Sequence, residues 1–222
     1  MSELLPPVTV VVVAGGDPPA PADLNGVPAD AVVIGADRGV AYARELGLQV
    51  AVAVGDFDSV PAEVLAAVAA DGARIQRYPA EKDATDLELA LDAALEFQPR
   101  RVVLLGAYGG RCDHELANLL LAAAPRYASL NIQARHAGAT ATVIHRSAEL
   151  SGAVGELVSL LPVHGSATGV ETSGLRYQLR GEVLEAGSSR GVSNEFLQPQ
   201  AQVRLRSGVL LAIQSGLEKA TR

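Results

Sequence analysis

Hydrophobic residues in the first half of the chain alternate between short β-branched runs and longer stretches with helical spacing. The runs predict five strands, at Val8–Ala14, Ala31–Ala36, Val50–Val54, Ala73–Arg77 and Val102–Leu105. The stretches between them predict four helices, at Gly39–Leu46, Pro61–Ala70, Thr85–Phe97 and Asp113–Ala124. This rhythm of strand and helix is typical of a parallel sheet covered on both faces.

From about Asn131 onward the pattern changes to short strands separated by turns, without a convincing helix. The predicted strands are Ile132–Ala134, Ala141–Ile144, Leu157–Leu161, Gly174–Leu179, Gly181–Leu184 and Gln202–Ile213. The sequence therefore predicts an α/β fold with an N-terminal parallel-sheet domain over residues 1–129. A C-terminal all-β domain, a small sandwich, is predicted over residues 130–222.

Composition and charge narrow the class of protein. The chain has 222 residues, of which 49% are hydrophobic, so it can bury an ordinary core and is not expected to be disordered. The longest apolar run, Val8–Ala14, is too short to span a bilayer, and the acidic start Met1–Leu4 does not resemble a secretory signal. With a single cysteine we expect a cytoplasmic protein. The net charge of -7 argues against a nucleic-acid partner.

Carboxylates follow the second and third predicted strands, where ligands bind in open parallel sheets. Asp37 follows one strand, and Asp56 and Asp58 follow the next. If that segment is extended, the side chains of Asp56 and Asp58 point to the same side. Two such carboxylates repel each other unless a cation lies between them, and Mg²⁺ is the usual one. From these residues alone, solvated loop acids before the Pro61 helix remain an equal alternative.

The fourth predicted strand is followed by Lys82, Asp83 and Asp86 at the start of a helix. The two acids alone fit ordinary helix capping, because the helix dipole favours negative charge there. Lys82 is more informative, since the chain has only two lysines among its 18 basic residues. An ammonium group at this place suits a phosphate beside carboxylates.

The fifth predicted strand leads into Gly109, Gly110 and Arg111, directly before a helix. Glycines allow the backbone to approach a ligand closely, and Arg111 is placed to bind a phosphate. The chain contains neither a Walker A motif nor a complete dinucleotide-binding glycine motif, so those two classes lose support. His114 is a candidate general base or a positioning residue. Cys112 is expected to be a small buried packing residue.

Two segments of the β half are rich in hydroxyl and amide groups, and the second contains Ser193 and Asn194. Such loops suit recognition of a heterocycle through directed hydrogen bonds. Ordinary hairpin turns are the simpler interpretation of these segments when they are taken alone.

The ordered set of motifs resembles the thiamine pyrophosphokinase family. Each motif is short, but their order and spacing across nearly the whole chain are specific. They are Ala36–Gly39, Gly55–Ser59, Lys82–Asp86, Gly109–His114 with Asn118, Ser159–Pro162, Gly174–Tyr177 and Gly191–Glu195.

The resemblance implies an α/β nucleotide domain, a C-terminal β-sandwich and a homodimer whose active site is shared between subunits. It implies that ATP and thiamine react to give AMP and thiamine diphosphate, with Mg²⁺. The implied metal ligands are Asp56, Asp58 and Asp86, supported by Asp37 and Asp83, and Lys82 and Arg111 would contact the triphosphate. The implied ligand-binding residues further include Thr85, Gly109, Gly110, Asp113 and Asn118, with Ser193 and Asn194 for thiamine. Asp37 or His114 would accept the proton.

Two positions depart from the family pattern, and other functions remain open. Arg38 stands where the family usually has a small residue, and Cys112 where it often has a larger apolar one. A pyrophosphokinase for another hydroxymethyl heterocycle, such as a pterin, would use the same acids. A non-catalytic nucleotide-binding homologue would bind ATP without forming AMP. A glycosyltransferase based on Asp56 and Asp58 is a weaker alternative because it leaves Lys82–Asp86 unexplained.

Overall fold

The protein has a mixed α/β fold, and its computed structural model describes residues 8–219. The chain folds into two compact units. The first contains residues up to 121 together with 129–136, and the second contains residues 122–128 and those from 137 onward. No helix among residues 8–219 is both long enough and apolar enough to cross a membrane.

The first unit contains six strands and four α-helices. The strands are β1 (Thr9–Val13), β2 (Val32–Ala36), β3 (Val50–Gly55), β4 (Arg74–Arg77), β5 (Arg101–Leu105) and β6 (Ile132–His136). The helices are α1 (Gly39–Glu45), α2 (Ala62–Ala70), α3 (Asp86–Leu95) and α4 (Cys112–Ala122). The five strands and four helices predicted for residues 8–124 are confirmed, with ends that differ by at most two residues.

The strands of this unit form a parallel sheet in the order β4-β3-β2-β1-β5-β6. After β1 the chain builds outward to β4 on one side, and then returns to place β5 on the other side of β1. Side chains of Val10–Val13 in the central strand are completely buried. The crevice between the loops after β1 and β5 is therefore the topological switch point, where ligands bind in sheets of this type.

The strand Ile132–Ala134, predicted to open the β domain, belongs to the first unit instead. It forms part of β6, and Ile132 pairs in parallel with Val102 of β5. An alternating pattern indicates which side chains of a strand are buried, but not the direction or the partner of the strand. The pattern therefore could not show that this strand pairs with β5. The division of the chain into two functional domains stays a prediction.

The second unit contains seven strands, all in antiparallel pairs. They are β7 (Ala139–Ile144), β8 (Ser147–Ser151), β9 (Glu156–Ser173), β10 (Arg180–Leu184), β11 (Asn194–Glu195), β12 (Gln200–Arg204) and β13 (Ser207–Lys219). Their main order is β7-β13-β9-β12-β8, and β10 and β11 also pair with β9. The largest buried side chains of its core are Ile144, Leu150, Leu160, Leu175 and Phe196.

Three strand predictions in this unit were wrong in detail. The predicted Leu157–Leu161 is only the beginning of β9, which continues through irregular residues such as His164, at φ 58°, to a length of 18 residues. The predicted Gln202–Ile213 is two strands, β12 and β13. The predicted Gly174–Leu179 is not a strand, because only Leu175 forms an isolated bridge, to Phe196. Strand β8 was missed.

Gly39, the first residue of α1, allows this helix to lie against the end of β1. A Cβ atom on Gly39 would be 1.9 Å from the carbonyl oxygen of Val13, so no larger residue fits without a backbone shift. The close approach determines where the loop immediately before α1, with Asp37 and Arg38, emerges from the sheet.

We expect Gly39→Ala to lower the free energy of unfolding by about 1–3 kcal/mol, the usual cost of overpacking. Helix propensity alone predicts the opposite sign, because alanine is favoured over glycine by about 1 kcal/mol inside a helix. Urea denaturation measures the difference. Ala41→Gly in the same helix is the control and should show the ordinary propensity loss. A Gly39→Ala protein more stable than the wild type would contradict the close contact.

Candidate active site

A cavity of about 560 Å³ lies at the carboxyl ends of the strands of the first unit. The loops after β1, β2, β3, β4 and β5 all contribute to its wall. The lining residues are Ala14–Gly16, Ala36–Arg38, Asp56, Ala80, Lys82, Ala84–Leu87, Gly109–Arg111, His114 and Asn118. Most of the residues predicted from the sequence as metal or nucleotide ligands therefore meet in one place.

Asp56 and Asp58 come together in a tight turn and not in the extended segment that the sequence analysis expected. Phe57 between them has a left-handed backbone with φ 62°. The backbone N–H of Asp58 donates to Oδ1 of Asp56 at 3.1 Å. Since Phe57 is buried, its ring anchors the turn in the hydrophobic core.

Asp37 joins Asp56 and Asp58 in a cluster of three carboxylates. One oxygen from each lies within 4.8 Å of the others, close enough for all three to bind one cation. Asp37 Oδ2 accepts a hydrogen bond from the hydroxyl of Ser59. Its Oδ1 is buried and has no hydrogen-bond partner among residues 8–219. A buried carboxylate oxygen without a donor fits a hard cation ligand, so the donor set is suitable for Mg²⁺.

Lys82 lies between two acids at the edge of this cluster. Its Nζ is 3.1 Å from Oδ1 of Asp86 and 3.5 Å from Oδ2 of Asp56, and it also donates to the carbonyl of Pro79. The Lys82 side chain is only 13% exposed, so these contacts are partly shielded from water. Asp86, predicted as a metal ligand, contacts Lys82 and lies outside the group of three carboxylates.

Mutual repulsion and burial shift the ionisation of these groups. Burial raises the pKa of Asp86, and the negative charges of Asp37 and Asp56 add to this while Lys82 opposes it. The backbone N–H of Asp58, followed by the charge of Lys82, lowers the pKa of Asp56. Partial burial works against the charged form of Lys82, but its two acidic partners outweigh this effect and raise its pKa. The Lys82 side chain is therefore protonated and positively charged.

The glycine loop after β5 lies on the same cavity. Gly109 and Gly110 have φ values of 82° and 71°, which glycine adopts without strain. The N–H of Gly109 donates to Oε2 of Glu115 at 3.2 Å. Arg111 forms a two-pronged ion pair with Asp113, at 3.1 and 2.6 Å, and this pair lowers the pKa of Asp113 to about 2.

The remaining predicted residues of this unit have different surroundings. Thr85 caps α3 by accepting the N–H of Glu88, and Asn118 donates to the carbonyl of Ala107. Asp83 is exposed and does not line the cavity. The expectation that Cys112 is buried was wrong, because it lies in the exposed first turn of α4.

Ser193 and Asn194 lie in the second unit. Asn194 is buried, and its amide exchanges hydrogen bonds with the backbone N–H and carbonyl of Tyr177, at 3.0 and 2.8 Å. Ser193 is exposed at φ 59°, and its N–H donates to the hydroxyl of Ser159. The Asn194 side chain therefore shapes the loop that presents Ser193.

Sequence reasoning missed Gly15, Gly16 and Ser59. Gly16 bonds to the carbonyl of Gly106 at 2.9 Å, and a Cβ there would lie 2.3 Å from the carbonyl of Tyr108. Gly15 and Gly16 follow the first strand. Ligands bind beyond the carboxyl ends of the strands in a parallel sheet, and this rule could have identified both residues. Ser59 lies in the motif Gly55–Ser59, but the sequence analysis gave it no role of its own.

Comparisons with known proteins cover both halves of the chain. Residues 27–134 match the family model for the thiamin pyrophosphokinase catalytic domain, and residues 142–210 match the model for its vitamin B1 binding domain. A thiamine pyrophosphokinase from Bacillus subtilis is 30% identical over 223 residues, covering 93% of this chain and 98% of that protein.

Solved structures agree with these matches. The thiamine pyrophosphokinase of Bacillus subtilis superimposes with a TM-score of 0.81 at 27% identity, over 94% of this chain and 99% of that one. The thiamin pyrophosphokinase of Geobacillus thermodenitrificans gives a TM-score of 0.79 at 31% identity, over 96% and 99%. The match to the catalytic-domain model includes every segment that lines the cavity except Ala14–Gly16. The chain belongs to the thiamine pyrophosphokinase family.

Proposed function

We propose that this protein transfers a diphosphate group from ATP to the hydroxyl of thiamine, giving thiamine diphosphate and AMP. The observation that carries the proposal is the single cavity in which acidic residues, Lys82, Arg111 and a glycine loop meet. Transfer of a phosphoryl-type group depends mainly on positioning and charge neutralisation, and these residue types supply both. Family membership supports the choice of substrates.

The carboxylate cluster would hold Mg²⁺, with Asp37, Asp56 and Asp58 as its ligands. The orphaned Oδ1 of Asp37 supports this role for a residue that the sequence analysis placed only nearby. Asp86 stays a predicted ligand, held at 3.1 Å by Lys82. When bound, Mg²⁺ supplies positive charge that polarises the phosphate oxygens.

Lys82 and Arg111 would contact the triphosphate of ATP. Both already have acidic partners, so each would exchange part of a carboxylate contact for a phosphate contact. Arg111 is more exposed, with 72% of its side chain accessible, and its exchange disturbs less of the structure. Gly110 and Thr85 complete the predicted nucleotide wall, together with Asn118.

In the reaction, the thiamine hydroxyl oxygen forms a bond to the β-phosphorus of ATP, and the bond from that phosphorus to the oxygen bridging it to the α-phosphorus breaks. AMP leaves with that oxygen. The hydroxyl proton passes to a base, for which Asp37 and His114 are the candidates on the cavity wall. Arg38 also lines the cavity and would lie close to the nucleotide.

We further propose a homodimer in which the second unit of one subunit binds thiamine at the metal and phosphate residues of the other. The exposed Ser193 and the loop that Asn194 shapes support a binding role for this segment. Strand β9 pairs with β13 in its first part and with β10 and β12 further on, around one core, which supports the predicted sandwich. A cytoplasmic location and the absence of a nucleic-acid partner stay predictions.

Incubation with ATP, Mg²⁺ and thiamine should produce AMP and thiamine diphosphate in equal amounts, and no ADP. The product follows from attack at the β-phosphorus, and nucleotide separation by chromatography measures it. A parallel incubation with a hydroxymethylpterin is the control. AMP formed only with the pterin would assign the other substrate class, and ATP binding without AMP would indicate a non-catalytic homologue.

Asp58→Asn should reduce turnover at least ~100-fold, the size expected for removal of one preorganised electrostatic group. The metal-free variant should melt at the same or a higher temperature, because one charge leaves a cluster whose oxygens lie within 4.8 Å. Steady-state kinetics and thermal denaturation measure the two effects. Asp30→Asn removes an exposed charge remote from the cavity and should change neither. Normal turnover of Asp58→Asn would show that this acid is only a solvated loop residue.

Asp58→Asn and Asn194→Ala homodimers should both be nearly inactive, and a mixture unfolded and refolded together should regain about a quarter of wild-type activity. Random pairing makes about half of the dimers mixed, and one of the two sites in each mixed dimer is intact. Native mass spectrometry confirms the exchange of subunits. If the mixed dimers are no more active than their parents, each site is completed within one chain.

A further inference from the structure

The turn that brings Asp56 and Asp58 together depends on a strained residue. Phe57, at φ 62°, has a backbone conformation that aromatic residues rarely adopt. Such strain persists only where neighbouring contacts hold the residue in place. The N–H of Asp58 gives the turn one internal hydrogen bond, to Oδ1 of Asp56, but that bond uses an oxygen of a predicted metal ligand.

Arg77 makes two contacts with this turn from the neighbouring strand. Its Nη1 donates to the backbone carbonyl of Asp56 at 2.8 Å, and its guanidinium carbon lies 5.0 Å from the centre of the Phe57 ring. Both contacts come from one planar group, which can donate within its plane and stack on an aromatic ring with its face. Arg77 ends β4 directly opposite Gly55, so the sheet register fixes its backbone.

We propose that Arg77 is a positioning residue for the metal-binding carboxylates, acting through the backbone and ring of the 56–58 turn. It holds the carbonyl of Asp56 and the ring of Phe57 together, and so keeps Asp56 and Asp58 beside Asp37. The inference rests on the proposed function only in taking these three carboxylates as the cation site.

The direction in which metal affinity changes when Arg77 is removed distinguishes a positioning role from a purely electrostatic one. Arg77 carries a positive charge that contributes to lowering the pKa of Asp56. By charge alone this guanidinium repels a divalent cation, so its removal should strengthen metal binding. If Arg77 instead holds the carboxylates in place, its removal weakens metal binding, even though the site becomes more negative.

Mn²⁺ alone is the probe, because its ligand preference resembles that of Mg²⁺ and the free ion is measured directly by electron paramagnetic resonance. We expect Arg77→Ala to weaken Mn²⁺ binding about tenfold or more, as is usual for residues that orient metal ligands. Arg77→Lys keeps the charge but not the planar group, and should recover only part of the loss. Arg74→Ala, in the same strand and paired with Glu96 at 2.6 Å, is the matched control and should bind as the wild type does.

A double-mutant comparison tests the route through the aromatic ring. Phe57→Leu removes the stacking surface, so Arg77→Ala should weaken Mn²⁺ binding less in that background than in the wild type. All titrations are made below the melting temperature of each variant, as determined by thermal denaturation.

Unchanged or tighter Mn²⁺ binding by folded Arg77→Ala would overturn the positioning role and leave the proposed function intact. Absence of Mn²⁺ binding by the wild-type protein would overturn the cation site itself, and with it this inference. The two failures are thus distinguishable by the wild-type titration alone.

Discussion

Repulsion among carboxylates is the constraint on which the candidate active site depends. Three acids place oxygens within 4.8 Å of one another, and the pKa of a fourth, Asp86, is raised by burial and by two of them. Lys82 offsets part of this repulsion through contacts at 3.1 and 3.5 Å. One lysine cannot neutralise four carboxylates, so the arrangement favours the arrival of further positive charge. In the proposed function, Mg²⁺ would supply this charge and would allow the anionic nucleotide to bind beside the carboxylates.

The parallel sheet holds these carboxylates in place against their mutual repulsion. Its central strand is completely buried, and α1 is fixed against that strand by the close approach at Gly39. Backbone strain is located at the strand ends, where Asp37 and Phe57 both have left-handed conformations. Such a conformation costs a residue other than glycine about 1–2 kcal/mol. The N–H of Asp37 bonds to the carbonyl of Val54 at 2.8 Å, and Arg77 supports the turn at Phe57. Backbone contacts from neighbouring strands thus position the acids.

The two units of the chain contribute different chemistry. The first supplies charged groups around a cavity, and the second supplies hydroxyl and amide groups on turns between antiparallel strands. Asn194 lies in a segment predicted to bind thiamine, but both ends of its side-chain amide form hydrogen bonds with the backbone of Tyr177. Its contribution to ligand binding in our proposal is the shape of the loop, while Ser193 stays accessible.

The sequence by itself determined the five strands and four helices of residues 8–124, and the strand ends at which the acidic and basic residues collect. Periodicity sufficed because β1, β2, β3 and β5 are continuous apolar, largely buried runs and each helix has apolar spacing, both of which are local properties. Motif order was enough to identify the family, and the comparisons confirm it. In the β half, local patterns missed β8, found only the beginning of β9 and merged β12 with β13, since strand length there depends on partners distant in sequence.

Only the tertiary structure decided which acids meet. Sequence spacing linked Asp56 and Asp58 through an extended segment, whereas a left-handed turn joins them and the order of the sheet adds Asp37. The same folding placed β6 beside β5 and brought Arg77 to Phe57. These pairings join residues through strand register and backbone handedness. The local pattern of apolar and polar residues predicts neither register nor handedness, because both follow from how separate segments pack.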